Sequence, residues 1–303
     1  MGIKSPLTGV DNCIKEVAID AAEIISIYEN QFKIDVAKYF EDINELAIYV
    51  CPQTKYRFYY PNSVSGDEFY YKQMGKLDWY YNPSRWEHGK ALELISKNSK
   101  VLEVGSGPGF FLRKLKDNSI NYTGLELNRE AIKIASDKGI EVINEMVQAH
   151  AKNTHEKYDV VCSFQVLEHI SEPLEFLISS VDCLKKGGSL IIAVPNNDSY
   201  MKDNVLNSKV LNMPPHHMGL WTLDSLKSLQ KYLPIKFSEV YYEPMVGGNV
   251  DIFLYNKLYK SFGGSLIPRI IWKLRIHYLL RFIIRIFKNK LRGNSMIVRF
   301  EKI

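Results

Sequence analysis

Cysteine is scarce in this 303-residue sequence. The four present, Cys13, Cys51, Cys162 and Cys183, stand far apart, and no two have metal-ligand spacing. That excludes a disulfide scaffold and points to free thiols in a reducing compartment. Cys162 and Cys183 sit in apolar surroundings and read as core. Met1 to Val10 lacks the apolar stretch of a secretory leader. No run reaches the roughly 18 apolar residues of a membrane-crossing helix. Acidic residues are missing from Ile252 to Phe300, where eleven Lys and Arg occur, leaving 28 basic and 34 acidic residues elsewhere. A basic tail therefore follows a mildly acidic body. With 46% hydrophobic residues, the chain can bury the core of one large domain with additions.

What is present is organised around Val101 to Phe111. Val101, Leu102 and Val104 read as a buried parallel strand. Gly105, Gly107 and Gly109 follow as a turn where a ligand can lie against the main chain. Leu112 and Leu115 then recur at helical spacing. A strand, a glycine turn and a helix form a nucleotide cradle. A second strand, Tyr122 to Leu127, carries Glu126, where an acidic side chain grips a ribose diol. Further strands are expected at Glu141–Asn144, Tyr158–Phe164, Ser189–Val194 and Ile235–Tyr242, alternating with helices. That alternation predicts an α/β fold with a doubly wound, Rossmann-like, mostly parallel sheet.

The spacing Gly-x-Gly-x-Gly, with a proline between the last two glycines, resembles motif I of class I S-adenosylmethionine-dependent methyltransferases, and Glu126 resembles motif II. Gln165-Val166-Leu167-Glu168-His169-Ile170 resembles motif IV. Lys185-Lys186-Gly187-Gly188 and Val194-Pro195-Asn196 resemble the family's later turn and strand end. Pro214-Pro215-His216-His217 with Trp221 resembles a segment of a bacterial small-molecule and sugar subgroup (methyltransferase type 11/23-like). The resemblance implies a seven-stranded sheet whose last strand, Ser295 to Lys302, is antiparallel. It implies S-adenosyl-L-methionine held by Glu103, Gly105, Ser106, Gly107, Gly109, Phe110, Glu126 and Leu127. It places Asn144 or Glu145 near the adenine, and Phe164 and Gln165 near the methyl group. Some sugar methyltransferases carry a zinc-binding cysteine cluster in the N-terminal part. Here Thr54 stands where a partner for Cys51 would be, so no metal is expected.

His216 or His217 is the expected general base, since an imidazole titrates near working pH. A loop staple is the alternative for both. His169 reads as structural or as chemical. Phe69 to His88 is rich in aromatics and reads either as a cap filling core or as a lid, with Tyr71, Trp79 or Tyr80 lining the pocket. The expected organisation is an N-terminal region and lid over 1–95 and the cofactor-binding domain over 96–250. A basic helical insertion over 251–294 and a last strand over 295–303 complete it.

Within the insertion, Pro268 to Arg292 is expected as one amphipathic helix. Ile267, Ile271, Leu274, Tyr278, Phe282 and Ile286 form its apolar stripe, and Arg269, Lys273, His277, Arg281, Arg285, Lys288 and Arg292 its basic one. A surface of anionic lipids, a solvated cap and a nucleic-acid patch each fit. The expected activity is O-methylation of a sugar or lipid-linked glycan precursor by a cytoplasmic enzyme peripheral on the inner membrane. A soluble quinone-like methyltransferase and a non-catalytic binding module are the alternatives. Partners would be a small-molecule or glycan acceptor, an anionic membrane along 268–292 and a second copy of the chain. Nucleic acid is disfavoured, because the motif IV region lacks an Asn/Asp-Pro-Pro-aromatic phrase.

Overall fold

The computed structural model describes residues 2–77, 79–198, 212–245, 248–262, 266–286 and 291–303. The chain opens with strand β1 (Ile14–Asp20), helix α1 (Ala21–Phe32) and a hairpin of β2 (Glu45–Val50) and β3 (Arg57–Tyr60). Asp20 starts α1 by accepting from the Ala22 amide at 2.8 Å, satisfying one orphan donor of the first turn. Ile24 and Tyr28, one turn apart, bury against the hairpin side chains Leu46, Ile48 and Tyr59. Helices α2 (Glu68–Met74) and α3 (Trp86–Glu93) carry the aromatic segment into the main sheet.

The main sheet is built from β4 (Lys100–Val104), α4 (Phe110–Asp117), β5 (Asn121–Leu125), α5 (Arg129–Ser136), α6 (Val147–Asn153), β6 (Tyr158–Phe164), α7 (Pro173–Asp182) and β7 (Leu184–Pro195). After β7 come β8 (Gly219–Leu220), α8 (Leu223–Ser228) and β9 (Ile235–Pro244). The insertion follows as α9 (Gly248–Ser261), α10 (Ile267–Lys273) and α11 (His277–Ile286), and β10 (Arg292–Lys302) closes the chain. The strand order is β5-β4-β6-β7-β10-β9. Strands β5, β4, β6 and β7 pair in parallel, whereas β10 runs antiparallel to both β7 and β9. Strands β4, β6 and β7 are buried along most of their length, which explains their apolar sequences, whereas β5 lies at the sheet edge and is buried only at Gly124 and Leu125.

Three expectations are corrected. The third strand, Glu141–Asn144, is reduced to one parallel bridge between Leu125 and Ile143, so the sheet has six strands among the described residues. This edge segment leaves Ile143 45% exposed and has little apolar surface to bury. Strand β1, absent from the sequence expectations, pairs with β2 although most of it is exposed. The single helix expected over 268–292 is two helices, broken at Arg275 with φ of 60°. Across the break the Trp272 and His277 rings stack at 4.8 Å. Of the expected basic stripe, Arg292 belongs to β10, and Lys288 lies outside the described residues. Among the described residues no helix is long and apolar enough to cross a membrane.

Strand β8 was not expected either. It leaves the main sheet and pairs with β3, through Arg57 opposite Leu220 and Phe58 opposite Gly219. Residues 212–221 thus strap the N-terminal sheet to the main domain. Met213, Met218 and Leu220 fill the N-terminal core, and Trp221 fills the main one. Trp221 is fully buried, its ring 4.2 Å from that of Tyr56, and its indole N–H donates to the Leu167 carbonyl at 3.4 Å. Trp221→Ala should lower unfolding free energy by about 3–5 kcal/mol, the cost of an unfilled aromatic site. Denaturant titration checks this, and a loss under about 1 kcal/mol would show that the strap is not held by this ring.

Candidate active site

The glycine turn after β4 is pinned to β5, because the Gly105 and Ser106 amides both donate to the Leu125 carbonyl, at 2.8 and 2.9 Å. Gly105 and Gly107 adopt φ of 76° and 51°, a region that side chains resist. A Cβ at Gly105 would stand 2.5 Å from Val166. Gly109 has φ of 74°, yet it does not line the cavity. A Cβ there would meet Ile140 at 2.8 Å, so Gly109 lets α4 pack closely rather than touching a ligand. This corrects its expected cofactor contact.

Glu126 stands at the end of β5 and clamps the turn. One carboxylate oxygen accepts from the Gly107 amide at 2.7 Å, and the other accepts from the Leu127 and Asn128 amides at 2.8 Å each. Beneath the turn Glu103 is buried, and burial holds its carboxyl well above the usual range. Glu103 Oε2 and the Ser106 hydroxyl are buried without a hydrogen-bond partner among the described residues. Such orphans are costly unless a ligand completes them. They fit a cofactor bearing polar groups, as does the bare backbone at Gly105 and Gly107.

Glu103, Gly105, Ser106, Gly107, Phe110, Glu126, Leu127, Asn144, Glu145, Phe164, Gln165, His216 and His217 all line one cavity of about 1130 Å³. Asn144 donates its amide hydrogens to the Glu126 and Leu127 carbonyls, at 2.9 and 3.2 Å, leaving its Oδ1 as acceptor. Glu145 faces inward instead, 2.8 Å from His150 Nδ1. Leu127 and Met146 line the cavity while 53% and 54% exposed. Met146 was missed by the sequence reading, since nothing distinguishes a lone methionine there. Gln165 ends β6 with φ of 56°, strained for a non-glycine residue. Its amide donates to Glu87 at 3.0 Å and to the Ser295 hydroxyl at 3.1 Å, tying β6 to α3 and β10.

The second half of the cavity is an imidazole cluster. The His169, His216 and His217 rings lie 4.5 to 4.7 Å apart between centroids. The Met218 amide donates to the Glu168 carbonyl at 2.8 Å, which docks the strap on motif IV. His217 Nδ1 donates to Asn212 Oδ1 at 3.0 Å, Asn212 donates to Asn197, and Asn197 donates to the Trp221 carbonyl. His169 Nδ1 donates to the His216 carbonyl at 2.6 Å. Glu168 is wholly buried, and burial pushes its carboxyl up to about 8. Burial also holds His216 and His217 well below the usual imidazole range, hence neutral, and lowers His169 to about 4. Glu168 was visible within the Glu-His phrase, but its complete burial was not.

The aromatic segment is both core and wall. Tyr70 is buried in the N-terminal core. Tyr71, Trp79, Tyr80 and Tyr81 line the cavity. The Tyr71 ring stands edge-on to His169 at 5.6 Å, and Tyr80 edge-on to His216 at 5.7 Å. Tyr81 covers the glycine turn, its hydroxyl accepting from the Asn128 side chain at 3.1 Å.

A family model described as a methyltransferase domain matches residues 79–231, half of the chain. The ubiquinone biosynthesis O-methyltransferase of Vibrio cholerae is 31% identical over 144 residues, 44% of this chain and 58% of the relative. The namesake protein of Vibrio parahaemolyticus is 26% identical over 193 residues, covering 56% of this chain and 81% of the relative. The chain thus spans under two thirds of the Vibrio cholerae relative's length. A solved complex between a methyltransferase activator and a methyltransferase of Haloferax volcanii is similar in fold, with a TM-score of 0.50 and 14% identity over 72% of this chain and 89% of that one. With the glycine turn, the acidic clamp and the antiparallel closing strand all in place, the chain belongs to the class I S-adenosylmethionine-dependent methyltransferases.

Proposed function

We propose that the chain O-methylates a ring hydroxyl on a membrane-borne acceptor, a polyprenylated phenol being the first acceptor to test and a lipid-linked sugar the second. The observation that carries this reading is one cavity joining the Glu126-clamped turn to the neutral imidazole cluster. When bound, S-adenosylmethionine supplies an electrophilic methyl group on a sulfonium. Glu126 would hold the ribose hydroxyls. Leu127 and Met146 would flank the adenine, and Asn144 Oδ1 would accept from its amino group. Glu145, engaged by His150, supports that edge from behind. Glu103 and Ser106 would complete the polar contacts below the turn.

Alignment of acceptor and methyl supplies most of the rate enhancement in such a displacement. A hydroxyl must also lose its proton, and a neutral imidazole can accept it, here as a weaker base than a free imidazole because burial disfavours the charged form. His216 and His217 are neutral and line the cavity. Tyr71 and Tyr80 close that end with aromatic faces, which suit either a phenol or a sugar ring.

The acceptor reading rests on the insertion, which lies outside the matched 79–231. Glu243, Asn294 and Ser295, at the strand ends flanking the insertion, line the cavity, so the insertion rises from its rim. Inside it, Val250, Leu254 and Ile284 bury one another. Outside, Leu266, Ile270, Leu274, Leu279, Phe282 and Ile286 are 49% to 66% exposed, beside exposed Arg269, Lys273 and Arg275. A solvated cap would turn such apolar residues inward. Apolar and basic residues side by side suit an anionic membrane surface.

Titration calorimetry tests the cofactor site. Glu126→Gln and Glu126→Ala should weaken S-adenosylmethionine and S-adenosylhomocysteine by about tenfold or more, the range for a lost hydrogen bond to a charged group. Glu130→Ala, on the exposed face of α5, should leave both unchanged. Equal affinity in all variants would remove Glu126 from the site.

Flotation with vesicles containing anionic lipid tests the surface. The triple variant Arg269→Glu, Lys273→Glu, Arg275→Glu should lose about a hundredfold or more in partition, at about 1 kcal/mol per basic residue. Salt should weaken the native chain in the same direction. A native chain that stays wholly in solution would refute the membrane-borne acceptor. Labelled methyl transfer to vesicles bearing polyprenylated phenol, or lipid-linked sugar, then separates the two acceptor classes.

A further inference from the structure

We propose that His169, His216, His217 and Glu168 form a binding site for one divalent cation of the zinc class. One ring nitrogen of each histidine lies within 4.8 Å of the others. The tautomers suit ligation. His169 and His217 each spend Nδ1–H on a carbonyl oxygen, which leaves both Nε2 lone pairs free. A second hydrogen bond of this kind orients metal-binding histidines. Both Nε2 atoms face the same carboxylate oxygen, Glu168 Oε1, at 4.0 and 3.9 Å.

The independent observation is the carboxylate itself. Glu168 is wholly buried, yet neither of its oxygens has a hydrogen-bond partner among the described residues, nor does His216 Nδ1. The two Nε2 lone pairs and the Glu168 carboxyl converge with no hydrogen-bond partner for its oxygens among the described residues, and a cation bound there would displace the carboxyl's proton. A cation satisfies the whole set. Ligands around a tetrahedral ion with bonds of about 2.0–2.1 Å lie roughly 3.3 Å apart. Separations of 3.9 to 4.8 Å would have to shrink by about 0.6 to 1.5 Å to close the site, a motion for side-chain rotations. Three imidazoles and one carboxylate suit Zn²⁺ or a neighbouring transition ion. Mg²⁺ and Ca²⁺ prefer oxygen ligands and are disfavoured.

Held by four protein ligands, the ion would brace the cavity wall where the acceptor sheds its proton, and would polarise the acceptor oxygen only by taking it as a fifth ligand. Only this consequence rests on the methyltransferase reading. Binding itself does not, so the test is run without cofactor or acceptor.

The full chain, freed of any histidine tag and stripped with chelator, is equilibrated with Zn²⁺ and analysed for bound metal, and is titrated separately with Co²⁺. The expected result is about one ion per chain and the intense visible bands of four-coordinate Co²⁺. His217→Ala and Glu168→Gln should weaken binding by about tenfold or more, while His155→Ala, an exposed histidine elsewhere, leaves it unchanged. Far-UV circular dichroism establishes whether each variant is folded. If His217→Ala unfolds, the Co²⁺ spectrum of the native chain decides, faint octahedral bands overturning the proposal. Retention of no metal by the native chain, or equal binding by folded variants, overturns it as well.

Discussion

The cavity depends on the docking of the strap against motif IV, a tie centred on the backbone bond from Met218 to the Glu168 carbonyl and flanked by bonds from His169 to the His216 carbonyl and from Trp221 to the Leu167 carbonyl. It joins two stretches about fifty residues apart and holds the strap against motif IV. On its other side the strap adds β8 to the N-terminal sheet, held there by the Tyr59 amide on the Met218 carbonyl and the Gly66 amide on the Pro215 carbonyl. The buried line Trp221, Asn197, Asn212 and His217 extends the tie as a chain of side-chain bonds. Buried polar chains of this kind fix one arrangement, because each broken link strands a desolvated group. The price of the device is Glu168, a carboxyl deep among imidazoles whose oxygens have no hydrogen-bond partner among the described residues.

The two halves of the cavity are organised by different physics. Around the glycine turn backbone dominates. Amides are aimed at Glu126, and glycines keep Cβ atoms out of the way. Around the strap side chains dominate. Burial keeps the imidazoles neutral and raises Glu168. The burial that keeps these nitrogens neutral also disfavours a proton on them, whereas a metal ion would use their lone pairs and displace the proton of Glu168. The first half is thus suited to holding a cofactor, and the second to managing charge at the acceptor.

Legibility in the sequence followed the same division. Gly105 and Gly107 were readable because a positive φ favours glycine there, and Glu126 and the strand end at Gln165 because they stand at motif positions after strands. The antiparallel closing strand was expected only through the family resemblance, since nothing local to Ser295 to Lys302 states its direction. Long-range packing was not. Gly109 looked like its neighbours, but its hydrogen faces Ile140, a contact only the folded chain defines. Glu141 to Asn144 had strand character, yet an exposed sheet edge gave it too little to bury. The stripe from Pro268 onward kept helical spacing through Arg275, where the folded chain breaks with a positive φ and stacks Trp272 on His277 across the gap. His216 and His217 could be named as chemical candidates, but their meeting with Glu168 and His169 required the strap.

The insertion raises a question of energy that the membrane reading answers. Six large apolar side chains, each about half exposed or more, would gain about 25 cal/mol for every square ångström removed from water. The insertion's own core takes only one face of its helices. A second apolar face is therefore either covered or a standing cost. Covering by a second protein chain would place Arg269, Lys273 and Arg275 against a surface that must supply three negative charges. An anionic bilayer supplies them without specific geometry, and it lies where a hydrophobic acceptor would be found. Because strand ends flanking the insertion also line the cavity, the same contact that buries the apolar face would bring the cavity mouth to the acceptor. Burial, charge and access then have one common solution.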